Sequence, residues 1–323
     1  MSRKIKWGIV GLGKIAGKFA EGLKHVENAQ LYAVASRDLA KAEEFSEKHN
    51  SEIAYGSYEQ LMEDPEVEVI YVATPHSLHE RISIQCLNHG KAVLCEKPFA
   101  INLEQAKKMI NLAREKDIFL MEAMWTMFLP HFQHVLELVN SGKYGKVKKI
   151  KADFGFKAEF DASKRLFNKS LGGGSLLDIG IYPVFLAYAI LGYPEKIEAS
   201  SHFAETGVDT SSEIRFSYSS QAEAELYSTL AEKTPTTGEV QLEKAVIKIN
   251  SRFHEPSSLT VITDGKEEHI KFENIGNGYN YEAAHVTRML LEHKTESDKM
   301  DFTKTLDLMK LLDDIREKTG LVY

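Results

Sequence analysis

Three residues of this sequence, a lysine, a tyrosine and an aspartate, have the chemistry to move a proton. Lys97 stands in Glu96-Lys97-Pro98, directly after the apolar run Ala92-Val93-Leu94-Cys95. Asp178 and Tyr182 stand in Leu171-Gly172-Gly173-Gly174-Ser175-Leu176-Leu177-Asp178-Ile179-Gly180-Ile181-Tyr182-Pro183. Four residues apart, they share one face of a helix, although Pro183 strains a regular one. Oxidising a carbinol by hydride transfer needs a base that takes the hydroxyl proton as the hydride leaves. A free tyrosine titrates near about 10, and a neighbouring ammonium favours the phenolate and lowers that value. Lysine plus tyrosine is thus a sensible acid–base couple, and Asp178 is suited to orient substrate hydroxyls or the lysine. The glycines permit close backbone approach to a ligand, and Ser175 is a candidate N-cap. Taken alone, Tyr182 reads as a buried aromatic and Asp178 as a capping residue; Lys97 tips the balance toward chemistry.

The elements that must position these groups begin at the N-terminus. Gly11-Leu12-Gly13-Lys14-Ile15-Ala16 follows the apolar segment Trp7-Gly8-Ile9-Val10 and opens a helical pattern. This is the strand, glycine turn and helix of a dinucleotide-binding fingerprint, with Ala16 in place of the third glycine. Gly11 and Gly13 let the backbone approach a pyrophosphate, and the helix start at Lys14 and Ile15 offers N–H groups and positive dipole. The second strand ends Ala35-Ser36-Arg37-Asp38. An acidic residue here accepts the ribose 2′-hydroxyl of NAD, whereas an arginine accommodates the 2′-phosphate of NADP. Ser36 and Arg37 favour NADP, with NAD as the alternative through Asp38, whose place before a helical run fits an N-cap better. Thr74-Pro75-His76, with His79 a turn later, ends another strand at the same crevice, and Glu96 and Lys97 end the next. Neither His76/His79 nor His131/His134 has a third ligand at a recognisable spacing, so no metal is expected.

Short continuous apolar runs at 31–35, 69–73, 92–95 and 118–121 suit strands buried on both faces, and helical stretches alternate with them. Asp38, Ser57 and Asn102 read as helix starts and Gly90 as a stop. The first 123 residues are therefore an α/β domain, a doubly wound parallel Rossmann sheet. From 124 to 323 the pattern changes. A helix at 132–141 precedes alternating segments at 147–157, 196–204, 212–218, 222–231, 239–249, 259–263 and 269–272. With helices at 176–191, 281–293 and 302–319, they predict an α+β domain on a large, open, mostly antiparallel sheet. A sheet face not covered by helices meets solvent or another subunit, and stretches such as 222–227 predict a homodimer through it.

Net charge is −7, with a sequence pI of 6.0, which invites neither nucleic acid nor an anionic membrane. No run of apolar residues approaches the roughly 18 needed to cross a bilayer. The start passes straight into the first strand, so no signal peptide is expected. Cys86 and Cys95 are the only cysteines, and a reduced cytoplasm is the economical expectation.

Together these residues resemble the glucose–fructose oxidoreductase/inositol dehydrogenase (Gfo/Idh/MocA) family, in particular its dihydrodiol dehydrogenase and NADP-dependent D-xylose dehydrogenase branch. The likeness covers nearly the whole chain. It runs through 35–39, 54–59, Gly90–Pro98, Leu120–Trp125, Phe154-Gly155, Gly173–Tyr182 and Glu205–Asp209. The resemblance implies that Lys97, Asp178 and Tyr182 match the catalytic group, with Tyr182 the acid–base. It also implies that Trp125 and Phe154 line the substrate pocket, that the peptide before Pro98 is cis, and that subunits pair through the second-domain sheet. Departures fall on the substrate side. A tryptophan of the dihydrodiol enzymes has no clear counterpart around Ser251-Arg252-Phe253-His254. Tyr279 and Asn280 replace the residues usual before Tyr281-Glu282, and the segment 157–171 is individual. The expected activity is an NADP-dependent oxidoreductase acting on a secondary hydroxyl of a trans-diol or cyclic sugar, with Tyr279 also on the substrate side. The alternatives are a strictly sugar-specific enzyme, such as a D-xylose dehydrogenase, and a non-catalytic NADP-binding regulator.

Overall fold

A computed structural model describes residues 3–323. The chain forms two compact units, Met1–Phe128 with Asn274–Leu306, and Leu129–Glu273 with Asp307–Tyr323.

The first unit alternates β1 (Ile5–Val10), α1 (Lys14–Leu23), β2 (Ala29–Ala35), α2 (Leu39–His49), β3 (Ile53–Tyr55), α3 (Tyr58–Glu63), β4 (Val69–Val72), α4 (His79–Asn88), β5 (Ala92–Glu96), α5 (Leu103–Lys116) and β6 (Leu120–Ala123). All neighbours in the order β3-β2-β1-β4-β5-β6 pair in parallel. The order reverses between β1 and β4, the switch point at which such sheets hold ligands. The continuous apolar runs are explained by burial on both faces: every residue of β4, β5 and β6 is buried. Three of the expected helix starts are caps. Asp38 accepts from the amides of Ala40 (3.1 Å) and Lys41, Ser57 from Gln60, and Asn102 from Gln105. β3 is an addition to the sequence reading, because three residues carry no period.

The second unit contains α6 (Pro130–Asn140), β7 (Val147–Gly155), α7 (Ile181–Leu191), β8 (Lys196–Phe203), β9 (Asp209–Ser217), β10 (Glu223–Thr229), β11 (Gly238–Leu242), β12 (Val246–Ile249), β13 (Leu259–Thr263) and β14 (Lys266–Ile270). Its sheet runs β14-β13-β12-β11-β7-β10-β9-β8, antiparallel except for the β7–β10 pair. The segment expected as one strand over 239–249 is a hairpin, β11 and β12. The amides of Glu243 and Lys244 bond to Lys146 and Tyr144 carbonyls, so a tertiary contact breaks the strand without a glycine or proline. Residues 169–191 contain an 18-residue stretch with the mean hydropathy (1.7) of a membrane span, but 83% of that stretch is buried inside the fold, as in a core helix. Over 222–227 burial alternates residue by residue. Ala222, Ala224 and Leu226 are buried, while Glu223 is exposed and Glu225 and Tyr227 half-buried. The apolar residues of 222–227 therefore face the core. The opposite face of the sheet is charged, with Glu225 paired to Lys149 (2.7 Å) and Arg215 (3.6 Å) above a depression of about 1010 Å³.

After the second sheet the chain supplies α8 (Tyr279–Leu291) and α9 (Phe302–Thr319). α8 packs on α1, and Trp7 Nε1 donates to Thr287 Oγ1 at 3.3 Å. The first unit thus takes in residues 274–306, a segment that the sequence division at 123/124 assigns to the second domain.

Candidate active site

In the first unit the site starts at the turn after β1. Gly11 has φ +86, and a Cβ there would stand 2.6 Å from the Ala73 carbonyl and 2.7 Å from Thr74 N. Only glycine fits, because the end of β4 passes directly against the turn. Gly13 caps α1 with no side-chain hydrogen bond and no acidic residue in the first turn, so the N–H groups at Lys14, Ile15 and Ala16 have no side-chain acceptor at the cap. An added Cβ on Gly13 would meet nothing nearer than 4.0 Å. Uncapped amides beside open space are what a pyrophosphate needs, so these residues fit a dinucleotide.

At the end of β2, Ser36 Oγ accepts from Asp38 N (3.2 Å), Asp38 is occupied as the α2 cap, and the Arg37 side chain is exposed. Beside it lies a cavity of about 240 Å³ whose lining includes Arg37, Tyr58, Arg81 and His89. Burial pushes the Tyr58 phenol up, and the charges of Arg37 and Arg81 pull it back. Arg81, on α4, is missing from the sequence reading because nothing in one sequence brings α4 to the β2 terminus.

The ends of β4 and β5 are tied together by His79. Its ring is fully buried, with Nδ1 at 2.8 Å from the Pro98 carbonyl and Nε2 at 2.9 Å from that of Thr74. His79 therefore acts as a strut between the two strand ends. The buried ring of His76 stands edge-on to it at 5.7 Å. Glu96 is buried, accepts from the Tyr71 hydroxyl, and takes the Lys97 amide on Oε2 at 3.1 Å. The Lys97–Pro98 peptide is cis, as the resemblance implied. Phe99 N donates to Glu122 Oε1 at 3.2 Å, which anchors the far side of the turn. Lys97 is thus half-buried on a turn braced at Glu96, Pro98 and Phe99. Trp125 and Tyr279, both buried, stack at 4.3 Å and 19°. Two site candidates that are 154 residues apart in sequence therefore meet in the same unit.

In the second unit, Leu176–Gly180 is π-helical and α7 starts at Ile181. This relieves the strain expected of Pro183, which falls in the first turn of α7, where a missing N–H costs little. π-turns inside helices recur at functional sites. Ser175 is not the side-chain cap: its hydroxyl donates to Ser228 Oγ (2.8 Å), while Leu176 N donates to Asp209 Oδ2 at 2.7 Å. Asp209 is fully buried, and burial raises its carboxyl to about 6. Gly174 is obligatory, since a Cβ there would lie 2.2 Å from Asp209 Oδ1. Tyr182 is buried with its ring centroid 5.8 Å from Phe154 and 4.8 Å from His254, and Phe154 stacks on His254 at 4.1 Å. His254 occupies the stretch in which the sequence offers no tryptophan. Asp178 Oδ1 accepts from Arg165 Nη1 at 2.7 Å. Arg165, on a 3₁₀ turn without periodicity, also escapes the sequence reading, and Asp209, at a strand terminus, enters it only within the 205–209 stretch of the resemblance and without a role. Lys97, Trp125 and Tyr279 belong to the first unit, Phe154, Asp178 and Tyr182 to the second.

Comparison with known proteins agrees with this description. The NAD-binding Rossmann model of the Gfo/Idh/MocA oxidoreductase family matches residues 5–124, and the family's C-terminal domain model matches 132–248. Trans-1,2-dihydrobenzene-1,2-diol dehydrogenase of Xenopus laevis is 39% identical over 98% of this chain and 99% of its own. The Danio rerio enzyme is 38% identical (99% and 98%), and the human one 34% (99% and 98%). Among solved structures, aldose-aldose oxidoreductase from Caulobacter crescentus, complexed with glycerol, superposes with TM-score 0.90 at 22% identity, covering 98% of each chain. A 3-ketoreductase from Actinomadura kijaniata, in complex with NADP and TDP-benzene, gives 0.88 at 24%, again over 98% of each. The chain belongs to the Gfo/Idh/MocA family of oxidoreductases.

Proposed function

We propose that the protein is an NADP-dependent dehydrogenase that oxidises a secondary hydroxyl of a trans-diol or a cyclic sugar. The observation that carries this reading is the uncapped start of α1 beneath Gly11, in a chain that aligns end to end with diol dehydrogenases. A bound oxidised nicotinamide would supply the hydride acceptor. The chain's own groups do the rest. Tyr182, its ring set by Phe154 and His254, takes the hydroxyl proton, and Asp178 receives a substrate hydroxyl as acceptor. Lys97 favours the phenolate by its charge, and its turn is held by Glu96, His79 and Glu122. Thr74, Pro75 and His76, with Gly11, Gly13, Lys14 and Ile15, would hold the cofactor. Trp125, Tyr279 and Phe154 present aromatic faces to the substrate carbons. Arg37 and Ser36 favour NADP, since an arginine fork suits phosphate oxygens. A homodimer through the charged outer face of the second sheet is part of the reading. That face carries Lys149, Lys151 and Arg215 among Glu213, Glu225 and Glu239, charges of both signs that an isologous contact can pair. Two free, buried cysteines fit a reducing, cytoplasmic setting. Incubation with NADP and a panel of trans-cyclic diols, pentoses and hexoses, following NADPH, tests the reading. Turnover of one pentose alone would favour a sugar-specific enzyme. Binding of NADPH with no turnover of any polyol, sugar or dicarbonyl would overturn it in favour of a sensor.

A further inference from the structure

Arg165 sits on the 3₁₀ turn Arg165–Phe167, and that turn is fastened to the glycine run leading into Asp178. Gly174 N donates to the Leu166 carbonyl at 2.8 Å and Gly173 N to that of Asn168 at 3.0 Å. A Cβ on Gly173 would lie 2.4 Å from the Arg165 carbonyl and 2.6 Å from that of Leu166. The two backbones are in contact, and from this base Arg165 Nη1 reaches Asp178 Oδ1 at 2.7 Å. The carboxylate side chain is 11% exposed and the guanidinium side chain 39%. An ion pair with so exposed a partner adds little to stability, so stability does not account for a register held by these backbone contacts. The chemistry of the pair is more telling. A carboxylate only accepts hydrogen bonds and a guanidinium only donates them. A hydroxyl is both donor and acceptor and complements that pair: the hydroxyl on the neighbouring carbon donates to Asp178 and accepts from Arg165, while the hydroxyl being oxidised gives its proton to Tyr182.

We infer that Arg165 and Asp178 form a clamp for the hydroxyl vicinal to the one oxidised, so that Arg165 selects substrates carrying a free hydroxyl next to the carbon oxidised. This rests on the dehydrogenase reading above and adds the feature of the substrate that is recognised. A group that only held Asp178 in place would affect all substrates alike; a clamp affects those with the second hydroxyl.

The test compares kcat/KM with NADP for trans-1,2-cyclohexanediol against cyclohexanol, or D-xylose against its 2-deoxy analogue, in wild type, Arg165→Met and Arg165→Lys. The wild type is expected to prefer the hydroxylated member by about tenfold to a hundredfold, because the deoxy compound leaves polar groups unpaired. Arg165→Met should collapse that preference to within a few-fold, mainly by raising KM for the diol, and Arg165→Lys should restore part of it. Proportional losses on both members of a pair, or an unchanged ratio, overturn the inference. So does a wild-type ratio near one, which needs no variant to fold. Wild type that binds NADPH but oxidises none of the compounds overturns the dehydrogenase reading, and the clamp with it.

Discussion

Replacing Glu122 with glutamine should change the pH dependence of stability, and the structure sets the size of the change. Glu122 lies on β6, is 1% exposed, and accepts from Phe99 N two residues beyond Lys97. Burial raises its carboxyl from 4.5 to about 8, against smaller lowering effects of the Thr305 hydroxyl, the Phe99 amide and the Lys97 charge. Because the folded value is the higher one, the native state binds the extra proton. Stability is full below the unfolded value and is lost as pH rises toward the folded one. The slope is about 1.4 kcal/mol per pH unit, so the loss across the window is roughly 4–5 kcal/mol. Glutamine has nearly the same shape, keeps an oxygen for Phe99 N and does not ionise. Urea midpoints of the first unfolding transition, measured for both proteins from pH 5 to 8.5, isolate the effect, because every other titrating group is common to both. The variant should be close to wild type near pH 5 and more stable by several kcal/mol at pH 8. A difference that stays flat across this range would refute the argument that burial keeps Glu122 protonated.

Tyr182→Phe and Lys97→Met are each expected to lower kcat by about 10²-fold or more, with NADP binding retained in Tyr182→Phe; stopped-flow turnover and cofactor titration check both, and wild-type turnover by Tyr182→Phe removes the assignment. Oxidation by the wild type should accelerate as pH rises and the phenol deprotonates. Arg37→Ala should weaken NADP by roughly ten- to a hundredfold and NAD much less, whereas Asp38→Ala should cost about 1 kcal/mol of stability as a lost N-cap. If the wild type prefers NAD and Asp38→Ala abolishes that preference, Asp38 is the ribose ligand instead. Light scattering at micromolar concentration should give twice the chain mass of 36.4 kDa, falling as salt screens the charged sheet face; a monomer at low salt contradicts the dimer.

Much of this protein is legible in one dimension because the physics involved is local. Glycine at 11 is demanded by a positive φ, Asp38 and Asn102 cap the helices that follow them, and buried parallel strands must be continuous apolar runs. Alternation along 222–227 likewise shows which residues share a face, though not which face is the core. That choice is tertiary: α7 takes the side of Ala224 and Leu226 and leaves the charged residues of the sheet outside. The hairpin within 239–249, the recruitment of 274–306 into the first unit and the π-turn that accommodates Pro183 depend in the same way on partners distant in sequence. So do the side chains around the proposed chemistry. Arg165 at Asp178, Asp209 at Leu176 N, His254 between Phe154 and Tyr182, and Tyr279 on Trp125 meet across 13, 33, 72 and 154 residues. Local sequence determines which groups can do chemistry, because residue type and backbone preference are local properties. Only folding decides what surrounds them, because burial and charge neighbours are set by packing.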